Sequence, residues 1–254
     1  MTIPIDQIDH AIVAKSHSSM YLMHKYWARK PHNVVSEYIK HYSNINDIVL
    51  DPFAGSGVTI AEAIALKRRA IACDLDPMST FITRCTVEPA NIDELNSQFK
   101  IIENKLESKV SEFYLTTCPE CKEKVQIEAT IWDNNRPTQI RYHCSCKTTT
   151  LWKDVDGNDE KLISKINKQM IPYWYPENEL VWNSRVNVNR DTKVSDLFTK
   201  RNLYILSAIY NEIQDIEDGS SLKRLFQFCF TASLGQASKL VFVYEKEGRE
   251  SFAQ

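Results

Sequence analysis

The residues of this chain that most directly suggest ligand chemistry are Asp51-Pro52-Phe53-Ala54-Gly55-Ser56-Gly57-Val58-Thr59. Two glycines and small neighbours follow the apolar Ile48–Leu50 and precede a run with helical spacing. Such a turn lets the backbone approach a ligand closely and aims free N–H groups at it. Spacing alone would admit a dinucleotide, but the third glycine of G-x-G-x-x-G is replaced by Ile60. Asp51, at the end of the apolar run, would oppose a pyrophosphate and suit an ammonium group. Asp74 closes the next apolar run, where a carboxylate can accept hydrogen bonds from both ribose hydroxyls. A cofactor with an amino-acid end and an adenosine end, S-adenosylmethionine, fits this pair of acids best. The plain alternative is a tight strand-to-helix turn with a surface acid beyond it. Asp76, followed by Pro77, reads as a helix cap and first helical residue rather than a ligand contact.

The cysteines give a second chemistry. Of seven, Cys73, Cys85 and Cys229 lie in apolar surroundings and read as buried free thiols. Cys118-Pro119-Glu120-Cys121 and Cys144-Ser145-Cys146 offer four thiolates from two short knuckles, the ligand set of a tetrahedral structural zinc. The second knuckle has a one-residue gap instead of the usual two, and His143 could stand in for Cys144. Unmetallated structural thiols are the alternative. A closed four-thiolate site leaves no open position for catalysis.

Residues 11–36 contain Lys15, Lys25, Arg29 and Lys30 with His17, His24 and His32, and no Asp or Glu. Tyr21, Tyr26 and Trp27 are interleaved. Cations with aromatics can grip phosphates and stack bases; equally, this could be a solvated face whose aromatics pack inward.

The elements that must position these residues follow from periodicity. Helices are predicted from about His32 to Tyr42 and over Val58–Leu66, with strands at Ile48–Leu50 and Ala70–Cys73, both read as buried. This strand–turn–helix–strand–helix order makes a βαβ unit with a parallel sheet. Apolar residues three or four apart from Ile92 to Phe113 predict one long amphipathic helix. Residues 152–190 read as polar and irregular. Asp196–Ile216 and Leu222–Leu234 read as helices, and Leu240–Tyr244 as a closing strand.

A chain of 254 residues allows one large domain or a core with a small insert. A net charge of −2 excludes a surface that binds polyanions as a whole, so any nucleic-acid contact must come from a local patch. No apolar run approaches a membrane span and no signal peptide is evident, so a cytoplasmic protein is expected.

The turn Asp51–Thr59 resembles the cofactor motif of the DNA amino-methyltransferases, the adenine-N6 and cytosine-N4 group. His24-Lys25-Tyr26-Trp27-Ala28-Arg29-Lys30-Pro31-His32-Asn33-Val34-Val35 is similar to the segment preceding that motif in a subgroup of these enzymes. Asp196-Leu197-Phe198-Thr199-Lys200-Arg201-Asn202-Leu203 resembles a further stretch of the subgroup. The resemblance implies a partial Rossmann-like α/β methyltransferase fold. Residues 20–90 would be the cofactor-binding βαβ core, 91–117 a long helix, 118–152 a zinc-ribbon-like insert and 190–254 a helical return to the core. It implies S-adenosylmethionine as cofactor and DNA as partner. The upstream segment would close over the methionine end, with Lys25 at the cofactor beside Asp51, Pro52, Phe53, Ala54, Gly55, Ser56, Gly57, Thr59 and Asp74.

The family also implies an Asp, Asn or Ser followed by Pro-Pro and an aromatic, to hold the amine of an extruded base. None of the nine prolines here is adjacent to another, so no catalytic residue is assigned. The expectation is the cofactor-binding part of a methyltransferase, truncated or completed by a second polypeptide. The alternatives are a non-catalytic zinc-bearing DNA-binding or regulatory protein on the same fold, and an RNA methyltransferase.

Overall fold

A computed structural model describes residues 6–133, 135–182, 189–244 and 250–253, with backbone alone at 242–244 and 250–253. In chain order the elements are α1 (Ser19–Leu22), α2 (His32–Tyr42), β1 (Ile48–Asp51), α3 (Val58–Ala65), β2 (Arg69–Ala72), α4 (Pro77–Val87) and α5 (Ile92–Phe113). There follow β3 (Leu115–Thr117), β4 (Lys124–Asp133), β5 (Arg136–Tyr142), β6 (Leu151–Asp154), α6 (Gly157–Asn167), α7 (Lys200–Gln214), α8 (Ser221–Ala237), β7 (Phe242–Tyr244) and β8 (Glu250–Ala253). The chain is mixed α/β and divides into two compact units, residues 1–91 with 219–232, and residues 92–218 with 233–254. No described helix is long and apolar enough to cross a membrane.

The first unit is built on β1-α3-β2. The strands pair in parallel with Ile48 opposite Arg69 and Asp51 opposite Ala72. Beyond the last pair, the Cys73 N–H donates to the Asp51 carbonyl (2.9 Å), holding the two strand ends together. Helix α3 starts at Gly57, whose φ of 80° turns the chain from strand into helix, and stops where Lys67 enters the left-handed region. Asp76 caps α4 by accepting from the Met78 N–H (3.0 Å), with Pro77 in the first turn, as expected. The core consists of Tyr21, Val58 and Ala61, and a second cluster of Ile82, Cys85 and Phe228.

Two expectations fail here. The strands are not buried: Ile48, Leu50 and Ile71 are half or more exposed, because among the described residues this sheet has only β1 and β2. Of the three isolated cysteines only Cys85 is buried, while Cys73 and Cys229 are exposed. Cys73 follows an uncovered strand, and Cys229 faces outward on α8.

The second unit carries an antiparallel sheet in the order β6-β5-β4-β8-β7, with β3 also paired to β4. Its helical core gathers Phe113, Ile166, Ile171, Leu203, Tyr204 and Ile205. A separate cluster of Ile127, Ile140, Tyr142, Cys118 and Cys144 packs at β4 and β5. The stretch 152–190, read as irregular, contains the end of β6 and all of α6; its residues 183–188 lie outside the described chain. Helix α6 is set by a reciprocal cap. Asp156 accepts from the Asn158 and Asp159 N–H groups, and Asp159 accepts from the Asp156 N–H (3.0 Å).

Candidate cofactor site and cysteine cluster

The turn between β1 and α3 forms the floor of a cleft of about 260 Å³ in the first unit. Phe53, Ala54, Gly55, Ser56, Val58 and Thr59 line it from the turn, Asp74 from beyond β2, and Tyr26, Ala28 and Lys30 from the upstream segment. Asp51, buried at the end of β1, accepts from the Phe53 N–H (3.0 Å) and the Lys30 ammonium (3.4 Å). Burial pushes the Asp51 carboxyl up, but the Thr59 hydroxyl, the Phe53 N–H and the Lys30 charge outweigh it and hold the group below its ordinary value. Asp51 is therefore a buried, ionised acceptor held against the turn.

Both glycines are required by the turn. Gly55 (φ 54°) donates its N–H to Asp74 Oδ2 (2.8 Å), and a Cβ there would meet the Tyr26 hydroxyl at 3.0 Å. A Cβ on Gly57 would lie 2.9 Å from Thr83 Cα, backbone that cannot give way. Asp74 is oriented by two amides: Asp76 N–H reaches Oδ1 (3.0 Å) while Gly55 N–H takes Oδ2. These N–H groups, that of Asp76 foremost, lower its pKa. Each oxygen keeps a lone pair for another donor. Beside it Leu75 is fully exposed, and Phe53 at the turn is 80% exposed.

The upstream segment is fastened to the turn. Arg29 donates through Nε to the buried Ser56 hydroxyl (3.1 Å) and through a terminal nitrogen to the His24 carbonyl (2.8 Å). The structure places Phe53 to Gly55, Ser56, Thr59 and Asp74 at one cleft, and Asp51 directly beneath it. It does not bring Lys25, Pro52 or Gly57 to the lining: Lys25 and Pro52 are exposed, Gly57 is buried against Thr83, and the cation at Asp51 is Lys30. Sequence spacing could not choose between Lys25 and Lys30, because an irregular turn separates them. Tyr26 and Thr83 carry no local signal of their contact with the glycines.

In the second unit, Cys118, Cys121, Cys144 and Cys146 converge, with all four sulfurs within 4.8 Å of one another. Cys118 and Cys146 are 3.8 Å apart, and Cys121 and Cys144 3.4 Å. A disulfide needs ~2 Å, whereas a tetrahedral zinc with bonds of ~2.3 Å sets sulfurs ~3.8 Å apart. The donor set and spacing fit a metal ion. His143 is exposed and outside the cluster. The first knuckle is closed by the Lys122 N–H on the Cys118 carbonyl (3.0 Å), with Lys122 in the left-handed region. Backbone N–H groups of Cys121 and Glu120, with the Tyr142 hydroxyl, bring the Cys118 thiol down to about 6. Hydrogen bonding to Cys144 pushes Cys146 up. Four sulfurs this close could all ionise only with a cation between them.

A buried strand-end acid, a glycine turn opening a helix and a second acid beyond the parallel strand define the ligand-binding end of a βαβ unit. The sequence model of the N6/N4 DNA methylases, described as DNA methylase, matches residues 7–80, which carry all of these features. Over this segment the chain is similar to the N6/N4 DNA methylases. It is 29% identical over 91 residues to the type II methyltransferase M.MjaII of Methanocaldococcus jannaschii, covering 36% of this chain and 16% of that protein. To the type II methyltransferase M.MjaI of the same organism it is 44% identical over 46 residues, 18% of this chain and 15% of that protein. The match thus spans about a sixth of these relatives' length. No solved structure matches the chain significantly. These matches give no support to a second polypeptide carrying the acceptor motif.

Proposed function

We propose that the first unit holds S-adenosylmethionine at the turn Asp51–Thr59, and that the chain is the donor-binding part of a DNA methyltransferase acting on adenine N6 or cytosine N4. The observation that carries this reading is the buried, ionised Asp51 beneath a glycine-floored cleft, with Lys30 beside it and Asp74 across it. Asp51 would take the ammonium of the amino-acid end and Lys30 its carboxylate. Asp74, held by two amides, would accept from the ribose hydroxyls, and Leu75 and Phe53 offer apolar surface to the adenine. When bound, the cofactor supplies a methyl group on a sulfonium. The chain's own residues bind and orient that group. No residue among the 254 is assigned to the acceptor amine, because the sequence has no Pro-Pro pair.

The cysteine cluster would hold one structural zinc through Cys118, Cys121, Cys144 and Cys146, bracing the ribbon and leaving no open coordination position. The missing acceptor motif also favours a second reading, a zinc-bearing DNA-binding protein that retains the fold without transferring methyl groups. Calorimetric titration of the folded chain with S-adenosylmethionine tests the first reading. One site per chain is expected, and no heat at millimolar cofactor would overturn it.

A further inference from the structure

The acid-free basic segment carries three aromatics, and the structure gives them different tasks. Tyr21 is 3% exposed and its hydroxyl donates to Glu62 (2.5 Å). Tyr26 packs beside Ile82 and Phe228 with its hydroxyl 3.1 Å from that of Ser79. Trp27 is 101% exposed, so its indole lies wholly in water. It is not on a loose strand of chain. Tyr26 and Ala28 on either side line the cleft, Arg29 is bonded to Ser56 and to the His24 carbonyl, and Lys30 is paired with Asp51. The molecule therefore holds this tryptophan outward, on an anchored turn, at the rim of the cleft.

The surroundings of Trp27 select its occupant. Lys25 is exposed and its ammonium has no partner among the described residues. Residues 11–36 hold four Lys and Arg and no acid, in a chain whose net charge is −2. A flat aromatic face beside an unpaired cation complements a base with its phosphate. We infer that Trp27 is a stacking platform for an unpaired or extruded nucleobase, with Lys25 on the flanking phosphate, at the rim of the cofactor cleft. The inference rests on the donor-binding reading for the meaning of that cleft. A base must leave the helix before its exocyclic amine can be reached, and an exposed indole there gives the extruded base a face to stack on.

The test uses the full chain and a labelled single-stranded deoxyoligonucleotide, with its duplex in parallel, followed by fluorescence anisotropy. Trp27→Ala should weaken binding about tenfold, and Trp27→Phe should retain most of the affinity. Lys25→Ala should weaken binding and flatten its salt dependence. Cofactor titration separates the two claims, since Trp27→Ala should leave S-adenosylmethionine affinity unchanged. Equal oligonucleotide affinity of wild type and Trp27→Ala would overturn the inference while leaving the donor-binding reading intact, as would wild type that binds the cofactor but no oligonucleotide. A dimer in sedimentation that Trp27→Ala dissociates would also overturn it, by showing the indole to be a contact between copies.

Discussion

Asp51 is ionised because three partners outweigh its burial. Replacing it with Ala or Asn removes a charge-assisted acceptor, worth about 1.5–3 kcal/mol, so cofactor affinity should fall at least about tenfold in a calorimetric titration. The pH dependence follows from the direction of its shift. A lowered pKa keeps the carboxylate charged below the ordinary value, so binding should hold steady from pH 7 down to about pH 4.5 and fall only as pH drops through the folded-state pKa. A loss of affinity near pH 6 would assign the dependence to another group. Gly57 makes a different demand. Its φ is 80°, and a methyl group there would sit 2.9 Å from Thr83 Cα. Gly57→Ala should therefore cost at least about 1–2 kcal/mol in urea unfolding. Thr83→Ala should not rescue it, because the clash includes backbone.

Strands β3–β6 and helix α6 should be held by different means. Chelation of the proposed zinc should lower the melting temperature and loosen the β3–β6 region, seen as faster amide exchange there; Cys118→Ser should do the same without chelator. In α6, Asp159 is buried against the Lys153 ammonium (2.8 Å) and the Thr116 hydroxyl (2.6 Å). Lys153→Ala leaves that carboxylate buried without its countercharge and should cost about 3 kcal/mol by chemical denaturation. Helices α2 and α5 were legible in the sequence because apolar residues recur at helical spacing, and the β1–α3 turn because glycines flanked by an apolar run and a helical run admit few alternatives. Helix α6 was hidden: its cap is an Asp-x-x-Asp pair instead of the familiar Ser/Thr-x-x-Glu, and its apolar face is only Leu162, Ile163 and Ile166 between polar residues. The faces of β1 and β2 were misread because an apolar tripeptide reads as buried whatever the number of strands around it.

At the level of the chain, the glycine turn, its acids and the cysteine cluster were legible from residue type and spacing, whereas Lys30, Tyr26 and Thr83 reach the turn only through tertiary contacts. The 254 residues place a donor-type site in one compact unit and a metal-type cluster in the other. With no Pro-Pro pair in the sequence, the chain alone should bind S-adenosylmethionine without methylating a DNA duplex, which a radiolabelled methyl-transfer assay would read as background. The most direct check on where the donor binds is an amide chemical-shift titration of the labelled chain with S-adenosylmethionine. Saturable shifts should concentrate at Phe53–Gly57 and Leu75–Asp76 and leave residues 118–146 unmoved. Absent shifts at millimolar cofactor, or shifts centred elsewhere, would contradict the assignment of this turn as the donor site.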